Sequence, residues 1–319
     1  MQVQVIDSLD TPVLRERAVV TIGNFDGFHL GHQALVGAVV QEAQARECHG
    51  ALVTFDPHPQ EVLNPDRRVP RICTPELRRR GFQRSGLDVV HVLPFTAELA
   101  ELSAEDFATR FLVERFQLEK LVIGYDFRFG KHRAGDFKLL ENLSQQQGFE
   151  LEEIPPVQVD HQTVSSTLIR QLLSEYRFSD IPTYLGRPHS LLGPVVSGDR
   201  RGREIGFPTA NLMPQVPLAL PHGVYATRVK ALGQVHHGVT NVGIRPTFGK
   251  STPSVETWIF DFEGDLYGEA LEVWPVHHIR PEQRFPSIEA LIRQIQLDAE
   301  QARNLLATSE ILPKMFPED

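Results

Sequence analysis

Cysteine is scarce in this chain. Cys48 and Cys73 are the two in 319 residues, too few for a disulfide framework, which points to a reducing compartment. No apolar run reaches the length of a bilayer-spanning helix, so no membrane partner is expected. Met1 to Asp7 has neither a basic nor a long apolar stretch, and no export signal is expected there. Positive charge is also short. The formal net charge is −9, and the basic blocks are Arg78 to Arg80 and the Arg200, Arg201, Arg203 cluster, which argues against a general nucleic-acid-binding surface. There is no internal repeat, no low-complexity segment and no G-x-G-x-x-G, so nothing suggests a Rossmann dinucleotide fingerprint. What these absences leave is a cytoplasmic globular protein.

The hydrophobic share of 41% and charged share of 23% are ordinary for a packed soluble chain, and the length implies two domains. The first half alternates short β-branched runs with longer amphipathic ones, the pattern of parallel strands joined by crossover helices. The spacing predicts strands at Ala18 to Ile22, Ala51 to Phe55, Val89 to Leu93, Lys120 to Ile123 and Glu150 to Ile154. Helices are predicted at about Leu30 to Arg46, Thr74 to Ser85, Ala104 to Phe116 and Asp136 to Gln147, with Ser103 an N-cap because Asp106 follows three residues later. At "LGRPH", Leu185 to His189, the helical runs stop. From Leu191 to about Val276 short strands and turns predict an antiparallel barrel or sandwich, closed by an amphipathic helix over Ile288 to Leu306.

"GNFDGFHLGH", Gly23 to His32, follows the first β-branched run. A strand ending in a glycine-containing turn that feeds a helix leaves backbone N–H groups pointing one way and favours an anion. With a helix starting near Phe28, His29 and His32 share a face and Gly31 leaves a ligand room between them, so two imidazoles can hydrogen-bond one phosphate. The alternatives are a satisfied structural histidine, or zinc, for which neither cysteine supplies a paired motif. "VSSTLIR", Val164 to Arg170, reads as a capped helix start that also favours an anion, a plain N-cap with a surface arginine being the alternative. In "GDRRGREIGFPTANL", Gly198 to Leu212, Pro208 makes the Thr209 hydroxyl and Asn211 amide project from a rigid loop, and such hard oxygens suit Mg²⁺ carried by ATP. A plain Asx-type turn is the alternative there. "FGKS", Phe248 to Ser251, is not a phosphate loop, since Gly243 is one residue too distant and Pro246 removes an N–H.

Taken with "FDPHP" at Phe55 to Pro59 and "GYDFRFGKHRAGD" at Gly124 to Asp136, the first half resembles the HxGH nucleotidyltransferases and, among them, bacterial FAD synthetases. The second half resembles riboflavin kinases through "GFPTAN", "NVGIRPTFG" at Asn241 to Gly249, "VETWIFDFEGDLYGE" at Val255 to Glu269 and the segment Ile279 to Arg303. The chain is thus similar to the bifunctional riboflavin kinase and FMN adenylyltransferase family. The resemblance implies an α/β fold: an N-terminal doubly wound parallel-sheet, Rossmann-like adenylyltransferase domain (1–185), a C-terminal six-stranded antiparallel β-barrel kinase domain with a terminal helix (186–310), and a tail (311–319). It implies phosphorylation of riboflavin to FMN and adenylylation of FMN to FAD, both with ATP and Mg²⁺.

By the same resemblance His29 and His32 stabilise the α-phosphate under attack, and Glu256 is the base that takes the ribityl 5′-hydroxyl proton, an outward-facing strand glutamate being the alternative. Gly23, Asn24, Phe25, Asp26, Gly31, Ser165, Ser166, Thr167, Arg170, Gly206, Pro208, Thr209 and Asn211 bind nucleotide or phosphate, with Thr209 and Asn211 also on the metal. Asp126 orients nucleotide or metal, an exposed loop carboxylate being the alternative, and is placed with Arg245, Pro246, Thr247 and Phe248 as flavin-binding. The partners implied are riboflavin, FMN and ATP, with transient self-association or hand-over to apoflavoproteins as a further expectation. Three positions depart from the family pattern: Trp258 where histidine is frequent, His132 where glycine is common, and "SEYRFSD" after the "SSTLIRQLL" helix, where a glycine is more usual and the joint between domains is expected to be shaped differently. The rival readings are a protein with one idle module, a flavin-sensing regulator, and an RNA-binding relative of the aminoacyl-tRNA synthetases. A mere binder has no chemical reason to keep Glu256 together with His29 and His32, and the acidic balance disfavours RNA.

Overall fold

The computed structural model describes residues 3–6, 16–66, 69–198, 201–247 and 250–308. Phe248 and the tail 311–319 lie outside the described residues. The chain forms two compact units, Met1–Val69 with Arg79–Val164, and Pro70–Arg78 with Ser165–Asp319.

The first unit is built on six parallel strands, β1 (Gln4–Ile6), β2 (Arg17–Ile22), β3 (His49–Asp56), β4 (Val89–Pro94), β5 (Gln117–Gly124) and β6 (Glu150–Ile154), in the order β1-β4-β3-β2-β5-β6. Helices α1 (Leu30–Ala45), α2 (Pro59–Leu63), α3 (Pro75–Gln83), α4 (Ala97–Ala100), α5 (Ala104–Ala108) and α6 (Phe137–Gln147) and a small hairpin, β7 (Gln158–Val159) with β8 (Gln162–Thr163), complete this part of the chain. Both faces of the sheet are covered. Val19 and Leu52 pack with Val36 and Val39 of α1 on one side, while Val20, Ile22 and Val53 pack with Phe107 and Leu140 on the other. That double burial is why the central strands read as continuous apolar runs. Strand β1 was not predicted. Three residues carry no periodic signal, and only the parallel pairing of Gln4–Ile6 with Val89–His91 makes them a strand.

One helix expectation is corrected. The segment Ala104 to Phe116 is not one α-helix. After α5, capped by Ser103 accepting from Asp106 N–H as expected, Thr109–Val113 forms a π turn in which Glu114 N–H donates to Thr109 O at 2.9 Å. The wider turn goes with stacked rings of Phe107 and Phe111, 5.4 Å apart, beside the buried Leu112. Helix α1 begins at Leu30, as the Leu30 to Arg46 reading has it, and the start near Phe28 considered for the histidine pair is excluded by the φ of +45° at Phe28.

The second unit holds α7 (Ser166–Ser174), α8 (Ile181–Leu185), β9 (Leu191–Pro194), α9 (Arg201–Glu204), β10 (Ala210–Leu212), β11 (Gly223–Ala231), β12 (Gln234–Thr247), β13 (Lys250–Ile259), β14 (Ala270–Arg280) and α10 (Ile288–Thr308). Its antiparallel strands run β10-β13-β12-β11-β14-β9. Val196, just past β9, bridges to Asn211 on β10, its N–H donating to Asn211 O at 2.8 Å, which draws the two sheet edges together into a nearly closed barrel. Tyr225, Val229 and Val273 are buried on one face, where the hydroxyls of Thr227, Thr240 and Thr257 form a chain at 2.9 and 3.0 Å. On the opposite face Ala226, Val239, Trp258 and Phe260 pack against Ala299, Ala302 and Leu306 of α10.

Segment 70–78 belongs to this unit through specific bonds. Arg71 N–H donates to Pro217 O and Arg71 O accepts from Ala219 N–H, both at 2.7 Å. Thr74 Oγ1 donates to Leu192 O at 2.6 Å and accepts from Leu192 N–H at 3.3 Å, and Cys73, Leu77 and Leu192 form an apolar cluster. His189 Nε2 lies 2.9 Å from Ile72 O. Burial holds this imidazole down at about 4, so it is neutral at pH 7 with Nε2–H donating.

Candidate active sites

Strand order in the parallel sheet reverses at β2, whose neighbours are β3 and β5. The carboxyl ends of β2 and β5 therefore flank a crevice of the kind that binds ligands in open α/β sheets. Gly23 to His32 leaves β2 there, and Asp126 follows β5. Three residues in four have positive φ, Phe25 (+48°), Gly27 (+88°) and Phe28 (+45°), a strained path for the two phenylalanines that the surroundings must hold. Thr54 Oγ1 donates to Asn24 O at 3.3 Å and Gln33 Nε2 donates to Phe28 O at 2.9 Å. These two residues were not found from the sequence, because their part is to secure the loop's carbonyls, and no spacing rule marks that.

His29 is the N-cap of α1, its Nδ1 accepting from His32 N–H at 3.4 Å. A neutral ring with Nδ1 as acceptor carries its proton on Nε2. The His29 and His32 rings stack at 3.6 Å with 20° between planes, and Phe25 lies 5.0 Å from His32. The pair meets although His29 is outside the helix. Gly31 makes this possible in a way the sequence did not show, since a Cβ there would lie 3.1 Å from the His29 ring. Asp26 is buried, Asn24 and Asp126 are exposed, and burial, with the Asp126 carboxylate, pushes the Tyr125 phenol up.

In the second unit, α7 starts at Ser166 with Ser165 as cap, its Oγ accepting from Leu168 N–H at 3.2 Å. The first turn has no acidic residue, Thr167 is exposed, and Arg170 Nε donates to Pro70 O at 2.8 Å. This is an N-terminus suited to an anion.

On the barrel, Asn211 of β10 stands directly opposite Glu256 of β13, and Glu256 opposite Asn241 of β12. The three form a row on one face, where opposed Cβ atoms lie about 5 Å apart. Here the expectation of a single rigid loop is corrected: Thr209 is in the loop, but Asn211 is on a strand, because its backbone pairs with both β13 and Val196. Asn211 Nδ2 donates to Thr209 O at 3.2 Å, which orients the amide. Gly206, at φ +90°, and Pro208 flank Phe207. Phe207 meets Trp258 edge-on at 4.9 Å, and Trp258 meets Phe260 at 5.2 Å, so the departure at Trp258 packs the loop bearing Thr209 onto the barrel. Arg245, Pro246 and Thr247 continue β12 opposite Thr252, Ser251 and Lys250. His132, the second of the three departures, has φ +56°, the conformation that favours glycine.

The chain matches the family model of FAD synthetase over residues 12–168 and that of riboflavin kinase over residues 185–306. It is 39% identical over 297 residues to the bifunctional riboflavin kinase/FMN adenylyltransferase of Pseudomonas fluorescens, covering 91% of this chain and 94% of that one. To the protein of the same name from Buchnera aphidicola it is 36% identical over 288 residues, 89% and 92% of the two chains. Among solved structures it resembles a protein called macrolide-efflux protein from Streptococcus pneumoniae, with TM-score 0.74, 30% identity and coverage of 95% and 99%. No helix among this chain's described residues is long and apolar enough to cross a membrane. With both catalytic modules matched in order and close relatives spanning nine tenths of its length, this chain belongs to the bifunctional riboflavin kinase/FMN adenylyltransferase family, phosphorylating riboflavin to FMN and adenylylating FMN to FAD.

Proposed function

We propose that residues 1–185 carry adenylyl transfer and residues 186–310 the kinase, with 311–319 as a tail. The observation that supports this reading is that His29 and His32 stack in one unit while Asn211 stands opposite Glu256 in the other. In the kinase reaction the Glu256 carboxylate accepts the proton of the ribityl 5′-hydroxyl as that oxygen attacks the γ-phosphorus of ATP and ADP leaves. In adenylyl transfer an FMN phosphate oxygen attacks the α-phosphorus of ATP and pyrophosphate leaves. His29 and His32 donate to the charge developing on the α-phosphate, without acting as nucleophiles. Gly23, Asn24, Phe25 and Asp26 line that phosphate site, and Ser165, Ser166, Thr167 and Arg170 hold a second phosphate at the start of α7. Asp126 and the β12 residues Arg245, Pro246 and Thr247 bind flavin, and Gly206 and Pro208 shape the kinase nucleotide loop.

Mg²⁺ fits the Thr209 and Asn211 oxygens. Bare backbone at Gly198 and Gly202 leaves room where a Cβ would come within 2.7 Å of Asn211 Nδ2 and 3.4 Å of Thr209 Oγ1. Among the described residues no group of three His, Cys, Asp or Glu side chains could hold a metal by itself, in keeping with an ion that arrives on ATP. When bound it neutralises charge on the transferring phosphoryl group. We place the enzyme in the cytoplasm, associating transiently with itself or with apoflavoproteins that take its product.

The test is to supply riboflavin or FMN with ATP and Mg²⁺ and to separate the flavins by chromatography. Glu256→Gln is expected to abolish FMN formation and keep FAD formation from FMN. The double change His29→Ala with His32→Ala is expected to do the reverse. Loss of both activities in either folded variant overturns this division of labour.

A further inference from the structure

Asn241 and Gly243 are two residues apart on β12 and so share one face of the barrel sheet, in successive rows about 7 Å apart. Asn241 is opposite Glu256, and Gly243 is opposite Ser254, which is buried. Gly243 has no positive φ, so its backbone does not require glycine. What takes up the space of a side chain there is Glu282. The Glu282 carboxylate rests on Gly243, its Cδ 2.9 Å from where a Cβ would stand and its Oε1 closer still. A second carboxylate therefore lies on the Glu256 face, one row along.

The segment that brings it there is anchored. Arg280 Nε and Nη2 donate to the buried Asp298 at 2.8–3.0 Å, Gln294 Nε2 donates to the same carboxylate at 2.9 Å, and Arg280 Nη1 donates to Pro281 O at 3.0 Å. His222 Nδ1 stands 3.9 Å from Glu282 Oε2. Yet the Glu282 side chain is 42% exposed, which suits a group presented to a ligand better than a buried strap.

A carboxylate in this position selects its ligand by charge and by donor count. It accepts hydrogen bonds only and repels phosphate. Strand order also separates it from the nucleotide side, since Asn211 on β10 lies on one flank of Glu256 and Gly243 on β12 on the other. The uncharged part of the acceptor substrate fits here. The ribityl chain carries a terminal hydroxyl, which must reach Glu256, and three secondary hydroxyls between it and the ring. We propose that Glu282, seated on Gly243, is the residue through which the kinase site recognises the secondary hydroxyls of the ribityl chain. The inference rests on Glu256 being the base.

Steady-state phosphorylation at saturating ATP tests it, with riboflavin as substrate and lumiflavin, which has the ring system and no ribityl hydroxyls, as competitive inhibitor. In Glu282→Ala the riboflavin KM is expected to rise about tenfold or more, the range of a hydrogen bond to a charged group, with the lumiflavin Ki and ATP KM unchanged. Glu282→Gln, which keeps the shape and one acceptor oxygen, is expected to fall between. An unchanged riboflavin KM, or a riboflavin KM and lumiflavin Ki that rise together, overturns the proposal. A measurement on the unaltered enzyme stands even where a variant does not fold: a flavin bearing an unbranched hydroxypentyl chain keeps the terminal hydroxyl, and its KM is expected to exceed that of riboflavin about tenfold. Equal values overturn the proposal. Failure of the Glu256 assignment shows separately, as retained turnover in Glu256→Gln.

Discussion

A methyl group on Gly31 would lie 3.1 Å from Cε1 and Nδ1 of His29 and 3.6 Å from Val164 O, so in Gly31→Ala the imidazole must shift by a few tenths of an ångström against the His32 ring. Small misplacements of a charge-stabilising group have large kinetic effects. FAD formation from FMN is expected to fall at least about tenfold, with riboflavin phosphorylation unchanged, and full adenylyl transfer in this variant would show that the stack is not needed. His189 is a single residue with a stability consequence. Its folded value of about 4 lies below the ordinary 6.5, so between these pH values the unfolded chain binds more protons. The contribution is fully present above pH 6.5 and is lost as pH falls toward 4, at about 1.4 kcal/mol per pH unit. His237, His277 and His278 are also held down by burial, so the informative quantity is a difference. Denaturant titrations at pH 7 and 5 should show a loss for the unaltered protein that exceeds that of His189→Gln by roughly 2 kcal/mol.

Helix α7 ends in a Schellman turn. Arg177 N–H donates to Leu172 O at 2.9 Å and Tyr176 N–H to Leu173 O at 3.1 Å, with Tyr176 at φ +57° in the left-handed position that usually takes glycine. The departure seen in "SEYRFSD" thus preserves the turn. The backbone cost of a tyrosine there is about 1 kcal/mol, offset by its ring stacking on His278 at 3.9 Å and 14°. Thermal unfolding is expected to rank Tyr176 above Tyr176→Gly, which loses the stack but relieves the backbone, and Tyr176→Gly above Tyr176→Ala, which loses the stack and keeps the strain. A Tyr176→Ala protein as stable as the parent would remove the ring contact from this account.

At the scale of the molecule, the second unit is not one continuous stretch of chain. A fragment 165–308 lacks segment 70–78, and with it Ile72 O for His189, Thr74 Oγ1 for Leu192 N–H and the apolar cover of Leu192. Each buried donor left unmet costs about 1–3 kcal/mol. The fragment is expected to melt well below the same barrel in the full chain, and a peptide spanning 69–79 added in trans should raise its Tm. A fragment as stable without the peptide would show the segment to be dispensable.

Much of this protein was legible before its structure. Burial on both faces of a parallel sheet writes itself into short β-branched runs, and a cap writes itself into Ser103 with Asp106. The candidate phosphate motifs stand out because an anion site at a helix start needs neighbours in sequence, as in His29-Leu30-Gly31-His32 or Ser165-Ser166-Thr167. What only the tertiary structure decided depends on register and close approach between distant residues. Such features include the pairing of β1 with β4, Asn211 facing Glu256, Glu282 lying on Gly243, the left-handed conformation of Phe28, and the capture of segment 70–78 by the barrel. Local composition carries no signal for these, because each is set by which backbone ends up hydrogen-bonded to which, and that is settled only when the whole core is buried.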